Sequence, residues 1–182
     1  MTLEELWKLF PIKLTKPNAE WEKQYEEMAA FLKNRLSPCK VTRISHIGST
    51  AISGIWAKPI IDILVEIPRD ESMSAVAELI TKSGFIKMSE SEERVSFNRG
   101  YTESGFAEKV YHLHLRYAGD NDELYFRDYL NENPIIAEEY ERLKLDFWRQ
   151  FEHDRDGYTQ AKTEFVKKQT ADARKLYKNR YE

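Results

Sequence analysis

The run Ile60-Ile61-Asp62-Ile63-Leu64-Val65-Glu66-Ile67 restricts the fold more than any other stretch of the 182 residues. Its β-branched apolar residues read as a buried strand. A buried strand does not carry a carboxylate such as Asp62 without a partner or a purpose. Just upstream, residues 41–47 mix β-branched and polar side chains, as a half-buried strand does. Gly48-Ser49-Thr50 then breaks the pattern. Gly48 lets the backbone turn and lets another group approach closely. Hydroxyls such as those of Ser49 and Thr50, beside exposed amides, are a common way to hold a phosphate oxygen.

Around this centre, helical and strand patterns follow one another. Thr2, with Glu5 three residues on, predicts a capped helix that Pro11 ends. Trp21, Tyr25, Met28, Ala29 and Leu32 stand at helical spacing and predict a helix to about Leu36. Strands are expected at 40–47 and 60–67. A helix capped near Pro68-Arg69-Asp70 follows, with Val76, Leu79 and Ile80 inward and Ser83-Gly84 at its end. Residues 85–88 suit a short strand, and 94–101 and 109–117 an antiparallel pair. Helices are expected at 123–131, from Pro134 to about Glu152, and from about Tyr158 to Tyr181, with an interruption near Gly157. This order suits one α/β or α+β domain over residues 1–182, helical from about residue 120.

The net charge of -3 provides no global basic field, which speaks against a protein dedicated to coating nucleic acid. No apolar run is long enough to span a bilayer, so no membrane partner is expected. The N-terminal Met-Thr-Leu-Glu-Glu-Leu-Trp lacks the layout of a signal peptide. Cys39 is the only cysteine, so no internal disulfide or thiolate cluster can form. The expected location is cytoplasmic.

His46-Ile47-Gly48-Ser49-Thr50, Gly54, Lys58-Pro59-Ile60-Ile61-Asp62-Ile63, His112-Leu113-His114 and Phe126-Arg127-Asp128-Tyr129-Leu130 together resemble the GrpB family, whose proteins carry a nucleotidyltransferase-like fold. The resemblance runs from about Trp21 to the C-terminal helix. It implies a mixed or antiparallel sheet backed by helices, with a helical C-terminal extension. It also implies transfer of a nucleotidyl or phosphoryl group from an NTP, with divalent Mg or Mn, or else Zn. Fusion of some members to dephospho-coenzyme A kinase points to a nucleotide or coenzyme-like small molecule as the ligand.

Three constellations carry the chemistry. In the first, the resemblance implies that Gly48 and Ser49 hold phosphates and that Asp62 binds metal, which offsets charge as the leaving group departs. Nucleotidyltransferases usually place a second acid two residues on, but that position is Leu64. Glu66 shares the face of Asp62 about 13 Å away, too far to chelate the same ion. The plain alternative is a turn glycine and a strand acid paired with a nearby cation.

In the second, alternation puts His112, His114 and Arg116 on one strand face. With Asp62, the two histidines could ligate Mn or Zn, and His46 could join them; equally they could only orient Asp62. In the third, Arg43, Lys58, Arg99, Arg127 and Lys162 are candidates for a polyanionic substrate, Lys58 and Arg127 foremost by the resemblance. Surface ion pairing is the commoner role for each. Trp56 either stacks on a base or covers the connector. Against the metal-dependent transferase stand a non-catalytic nucleotide-binding module that has lost the second acid and an Asp/His metal-dependent hydrolase.

Overall fold

A computed structural model describes residues 2–182. The chain runs α1 (Leu3–Leu9), α2 (Glu20–Arg35), β1 (Arg43–Ile47), β2 (Ile60–Ile67), α3 (Met73–Lys82), β3 (Ile86–Glu90), β4 (Arg94–Thr102), β5 (Gly105–Tyr117), α4 (Asp122–Glu132), α5 (Pro134–Gln150) and α6 (Arg155–Tyr177). A short 3-10 turn, Ser49–Ala51, follows β1. The strands form one mixed sheet in the order β1-β2-β5-β4-β3. β2 pairs antiparallel with β1 and parallel with β5, and β4 pairs antiparallel with β5 and β3. The two most apolar strands are thus central, where both faces are covered.

Alternation along β2 divides the core. Ile61, Ile63, Val65 and Ile67 pack with Trp21, Met28 and Leu32 of α2 and with Val76 and Ile80 of α3. The opposite face carries Asp62, Leu64 and Glu66, in register with His112, His114 and Arg116 of β5. Leu64 packs there against Ile47 and Leu124. Beside it, Ile52 and Ile55 of the connector pack with Phe126 and Leu130 of α4 and Ala137 and Tyr140 of α5. The helical tail therefore roofs the charged face of the sheet.

Local chemistry sets the element ends. Thr2 and Glu5 make the reciprocal capping box read from the sequence. Two boundaries differ from expectation. Ser72, not the Pro68-Arg69-Asp70 turn, caps α3 by accepting from the Ala75 amide. Gly157 does not interrupt the last helix but belongs to its first turn. Asp154 caps α6 through the Gly157 amide, and its carboxylate occupies the space a Gly157 Cβ would need. No helix among the described residues is long and apolar enough to cross a membrane.

Glu66 is a buried charge that the fold pairs fully. It is 1% exposed and accepts from Arg43 (3.1 Å), Asn121 Nδ2 (2.9 Å) and the Gly119 amide (3.3 Å). It thereby ties β1, β2 and the loop before α4 together. Removing it would leave Arg43 and the Gly119 amide without this acceptor, and Asn121 Nδ2 with only the Tyr181 carbonyl (3.4 Å). Glu66→Ala should lower the unfolding free energy by about 3 kcal/mol, and Glu66→Gln by less, because Gln keeps an acceptor oxygen. Urea denaturation measures both.

Candidate functional site

The site begins at the end of β1. Gly48 has φ +75 and ψ -175, a conformation that favours glycine. A Cβ on Gly48 would collide with the Asp62 carboxylate, so the bare backbone of the turn lies directly against that acid. Thr50 pins the turn to β2: its hydroxyl donates to the Ile60 carbonyl (3.1 Å). That commits the hydroxyl proton, so His46 Nε2, 2.9 Å away, is the donor to Thr50. His46 also stacks on Tyr25 at 4.7 Å. It is therefore a structural residue of the turn and does not join the other two histidines.

Asp62, His112 and His114 do come together. His112 Nδ1 is 3.4 Å and His114 Nε2 is 3.7 Å from the same Asp62 oxygen, Oδ1. Burial alone would raise the Asp62 carboxyl, but the two histidines outweigh it and hold the group well below the usual carboxylate range. Asp62 is therefore ionised. Among the described residues no group of three or more His, Cys, Asp or Glu is arranged to hold a metal ion. The histidine nitrogens face the carboxylate itself. On its far side, His112 Nε2 is 2.7 Å from Tyr101 Oη, which also accepts from Arg155 (2.7 Å). Leu64, where a second acid would stand, is fully buried in the core.

Gly48, Ser49, Asp62, His112 and His114 line a cavity of about 720 Å³ between the sheet and α4–α6. Cations dominate its other wall: Lys58, Lys144, Arg155, Lys162 and Lys167. Acids at the α4 end are already paired, Asp122 with Arg174 (2.8 Å) and Glu123 with Arg116 (2.7 Å). The five cations have no carboxylate ion-pair partner among the described residues. Lys58 and Lys162 instead lie over the Tyr158 ring, at 5.0 and 5.2 Å from its centre. Lys144 donates to the Trp56 carbonyl (2.6 Å). Burial, with the charges of Lys162 and Arg155, brings Lys58 down to about 7 against the pull of Asp62. Burial, with Lys162 and Lys58, also lowers Lys144 well below the usual lysine range.

The other sequence candidates lie elsewhere. Arg127 does not line the cavity. Its guanidinium donates to the His46 carbonyl (2.9 Å), Tyr181 Oη (3.0 Å) and Asp128 (2.9 Å), so it fixes the turn from behind. Arg43 pairs with Glu66, and Arg99 donates to the Ser83 carbonyl on the opposite side of the sheet. The Trp56 amide and carbonyl are bonded to Glu141 and Lys144, which clamps the connector to α5. Lys144, Arg155 and Lys167 are cavity residues the sequence reading missed. Lys144 carried a signal: it stands four residues after Tyr140 on the apolar stripe of α5, where a lone lysine is out of place.

A family model described as "GrpB protein" matches residues 11–172. The UPF0157 protein YqkA of Bacillus subtilis (strain 168) is 32% identical over 166 residues, covering 90% of this chain and 47% of YqkA. The chain thus spans about half the length of that relative. The crystal structure of conserved protein GrpB from Enterococcus faecalis aligns with a TM-score of 0.78 at 30% identity, over 91% of this chain and 99% of that one. The Cid1 poly(U) polymerase aligns with a TM-score of 0.53 at 13% identity, over 82% of this chain and 47% of Cid1. The fold is nucleotidyltransferase-like.

His46 makes the turn acid-sensitive. Burial first, and Arg127 second, lower it to about 4, against the pull of Asp62. Its folded value lies below its unfolded value, so its contribution is complete above about pH 6.5 and is lost as pH falls toward 4. The loss is on the order of 3 kcal/mol. His46→Gln keeps a donor for Thr50 without the titration. Urea midpoints between pH 7 and 4 should therefore fall more steeply for the wild type than for His46→Gln.

Proposed function

The chain belongs to the GrpB family, and on that footing we propose that it binds a nucleoside triphosphate in the cavity and transfers a nucleotidyl or related phosphoryl group from it. One observation carries this reading. Five cations without carboxylate partners among the described residues face a bare glycine turn and an ionised acid across a space of about 720 Å³. Buried lysines that repel one another are stable when a polyanion lies between them. A triphosphate supplies that charge, and the cavity lies within the usual size range of small-molecule sites.

The roles follow from position. The Ser49 hydroxyl would meet phosphate oxygens at the turn, while Gly48 keeps the turn backbone against Asp62. Lys58, Lys144 and Lys162 offset phosphate charge. Asp62 is the residue that would hold a divalent ion, in the manner of sites that combine one or two carboxylates with the substrate's own phosphates. Such an ion would offset charge on the leaving group. His112 and His114 keep the Asp62 carboxylate ionised and oriented. The fold relative described as bound to MgATP makes ATP with a divalent ion the first donor to try. Leu64 favours a second reading, a module that binds nucleotide without turnover, because the position of the second acid is taken by the core.

Binding of ATP with Mn, followed by titration calorimetry, tests the proposal. Lys58→Met and Lys162→Met should each weaken binding about tenfold or more, as loss of a charge-assisted contact does. Wild-type affinity should rise as pH falls from 8 to 6.5, because Lys58 titrates near 7 and gains its charge in that window. Asp62→Asn should retain ATP but lose the Mn-dependent part. Binding indifferent to both lysines would contradict the proposal. Retention of the Mn effect in Asp62→Asn would remove Asp62 as the metal residue.

A further inference from the structure

A second, smaller pocket adjoins the cavity and differs from it in chemistry. It holds about 200 Å³ and is lined mainly by Phe10, Pro11, Ile12, Phe106 and Val110. Its floor is fixed by sheet register. Ile60 pairs with Val110, and one step along the same face Asp62 pairs with His112. Two residues of strand separate the pairs, about 7 Å. The roof is the segment after α1, held down by Trp148 Nε1 donating to the Ile12 carbonyl (2.6 Å) and by the Thr15–Ala57 bridge.

Aromatic contacts connect the pocket to the site. Phe10, Tyr101 and Phe106 pack mutually at 4.9 to 5.1 Å between ring centres. Tyr101 then reaches His112 and Arg155 through its hydroxyl. Ile60, Lys58 and Arg155 line both spaces, so the passage between them carries two cations. Exposed Lys13 and Glu108 stand at its edge.

We propose that this pocket is the acceptor subsite, and that the acceptor is a small molecule with a compact apolar or aromatic body and an anionic oxygen at one end. The assignment rests on the nucleotide reading of the larger cavity. The apolar body fits the walls of Phe10, Ile12, Phe106 and Val110. Its anionic end meets Lys58 and Arg155 and points along the strand face toward Asp62. That oxygen attacks the α-phosphorus of the triphosphate. A new oxygen–phosphorus bond forms as the bond to the bridging oxygen breaks, and pyrophosphate leaves with the electron pair. An acceptor oxygen that arrives ionised brings no proton to remove. A phosphate and a carboxylate share this chemistry.

Paired probes test the assignment by titration calorimetry on the full chain: phenyl phosphate against inorganic phosphate, and benzoate against acetate. The expected result is tighter binding of the aromatic member, tenfold or more, in at least one pair, and the pair that shows it identifies the anion. Val110→Phe fills the pocket and should bring that ratio to about one. Phe106 is partly exposed, so Phe106→Ala should fold even where Val110→Phe does not. By widening the pocket it should move the preference from phenyl to 1-naphthyl phosphate. Equal affinities within both pairs, or a preference that neither substitution alters, would overturn the assignment. ATP binding to the wild type is read separately. ATP bound without an aromatic preference removes the subsite and leaves the nucleotide reading, whereas no ATP bound removes the nucleotide reading itself.

Discussion

The Asp62 carboxylate rests against the backbone of Gly48, in the space where any other residue would put a Cβ. The rest of the site depends on that contact. It requires a glycine with positive φ at the end of β1, a turn folded back over the start of β2, and an acid on the face of β2 that meets the turn. Thr50 fixes the turn to Ile60, His46 supports Thr50, and Arg127 holds the His46 carbonyl from α4. Substitution at His46, Thr50 or Arg127 would thus act on the turn and, through it, on Asp62.

One strand face carries two acids with opposite electrostatic surroundings. Glu66 is fully buried and accepts three hydrogen bonds, so it serves as a structural anion. Asp62, two register steps away, has histidines rather than a lysine or arginine as its nearest partners, and it faces an open cavity. Leu64 separates them in the core. The negative charge of Asp62 is set against five cations, four of which have an aromatic ring, a carbonyl or a phenol oxygen as their partner: Lys58, Lys162, Lys144 and Arg155. That imbalance is local. A chain with net charge -3 thus gathers basic side chains around one cavity.

Much of the fold was legible because it follows from short-range rules. The apolar run of β2, the alternation of β5 and the Thr2/Glu5 capping box each determine their own geometry. Asp62, Gly48 and the histidine pair were legible because motif residues and strand alternation already place them on one face. What was not legible depended on tertiary placement. Arg127 belongs to a motif, yet the packing of α4 turns it to the back of the turn. Lys162 was one of five candidate cations with nothing to rank it, and only the packing of α6 over the sheet brings it to the cavity. Gly157 looked like a helix break because the sequence does not show that Asp154 would cap across it. The apolar pocket joins residues 10–12 to β5, a pairing that no local pattern encodes.

The central claim is that the cavity holds a triphosphate between the glycine turn and the lysines, with Asp62 as the protein's metal residue. Crystals grown with a non-hydrolysable ATP analogue and Mn, measured at the Mn absorption edge, test it most directly. The account predicts one anomalous peak within bonding distance of an Asp62 carboxylate oxygen and of the phosphates. It also predicts phosphate oxygens against the Gly48–Ser49 backbone and near Lys58 Nζ. A triphosphate bound elsewhere, or a peak held by residues other than Asp62, would contradict it.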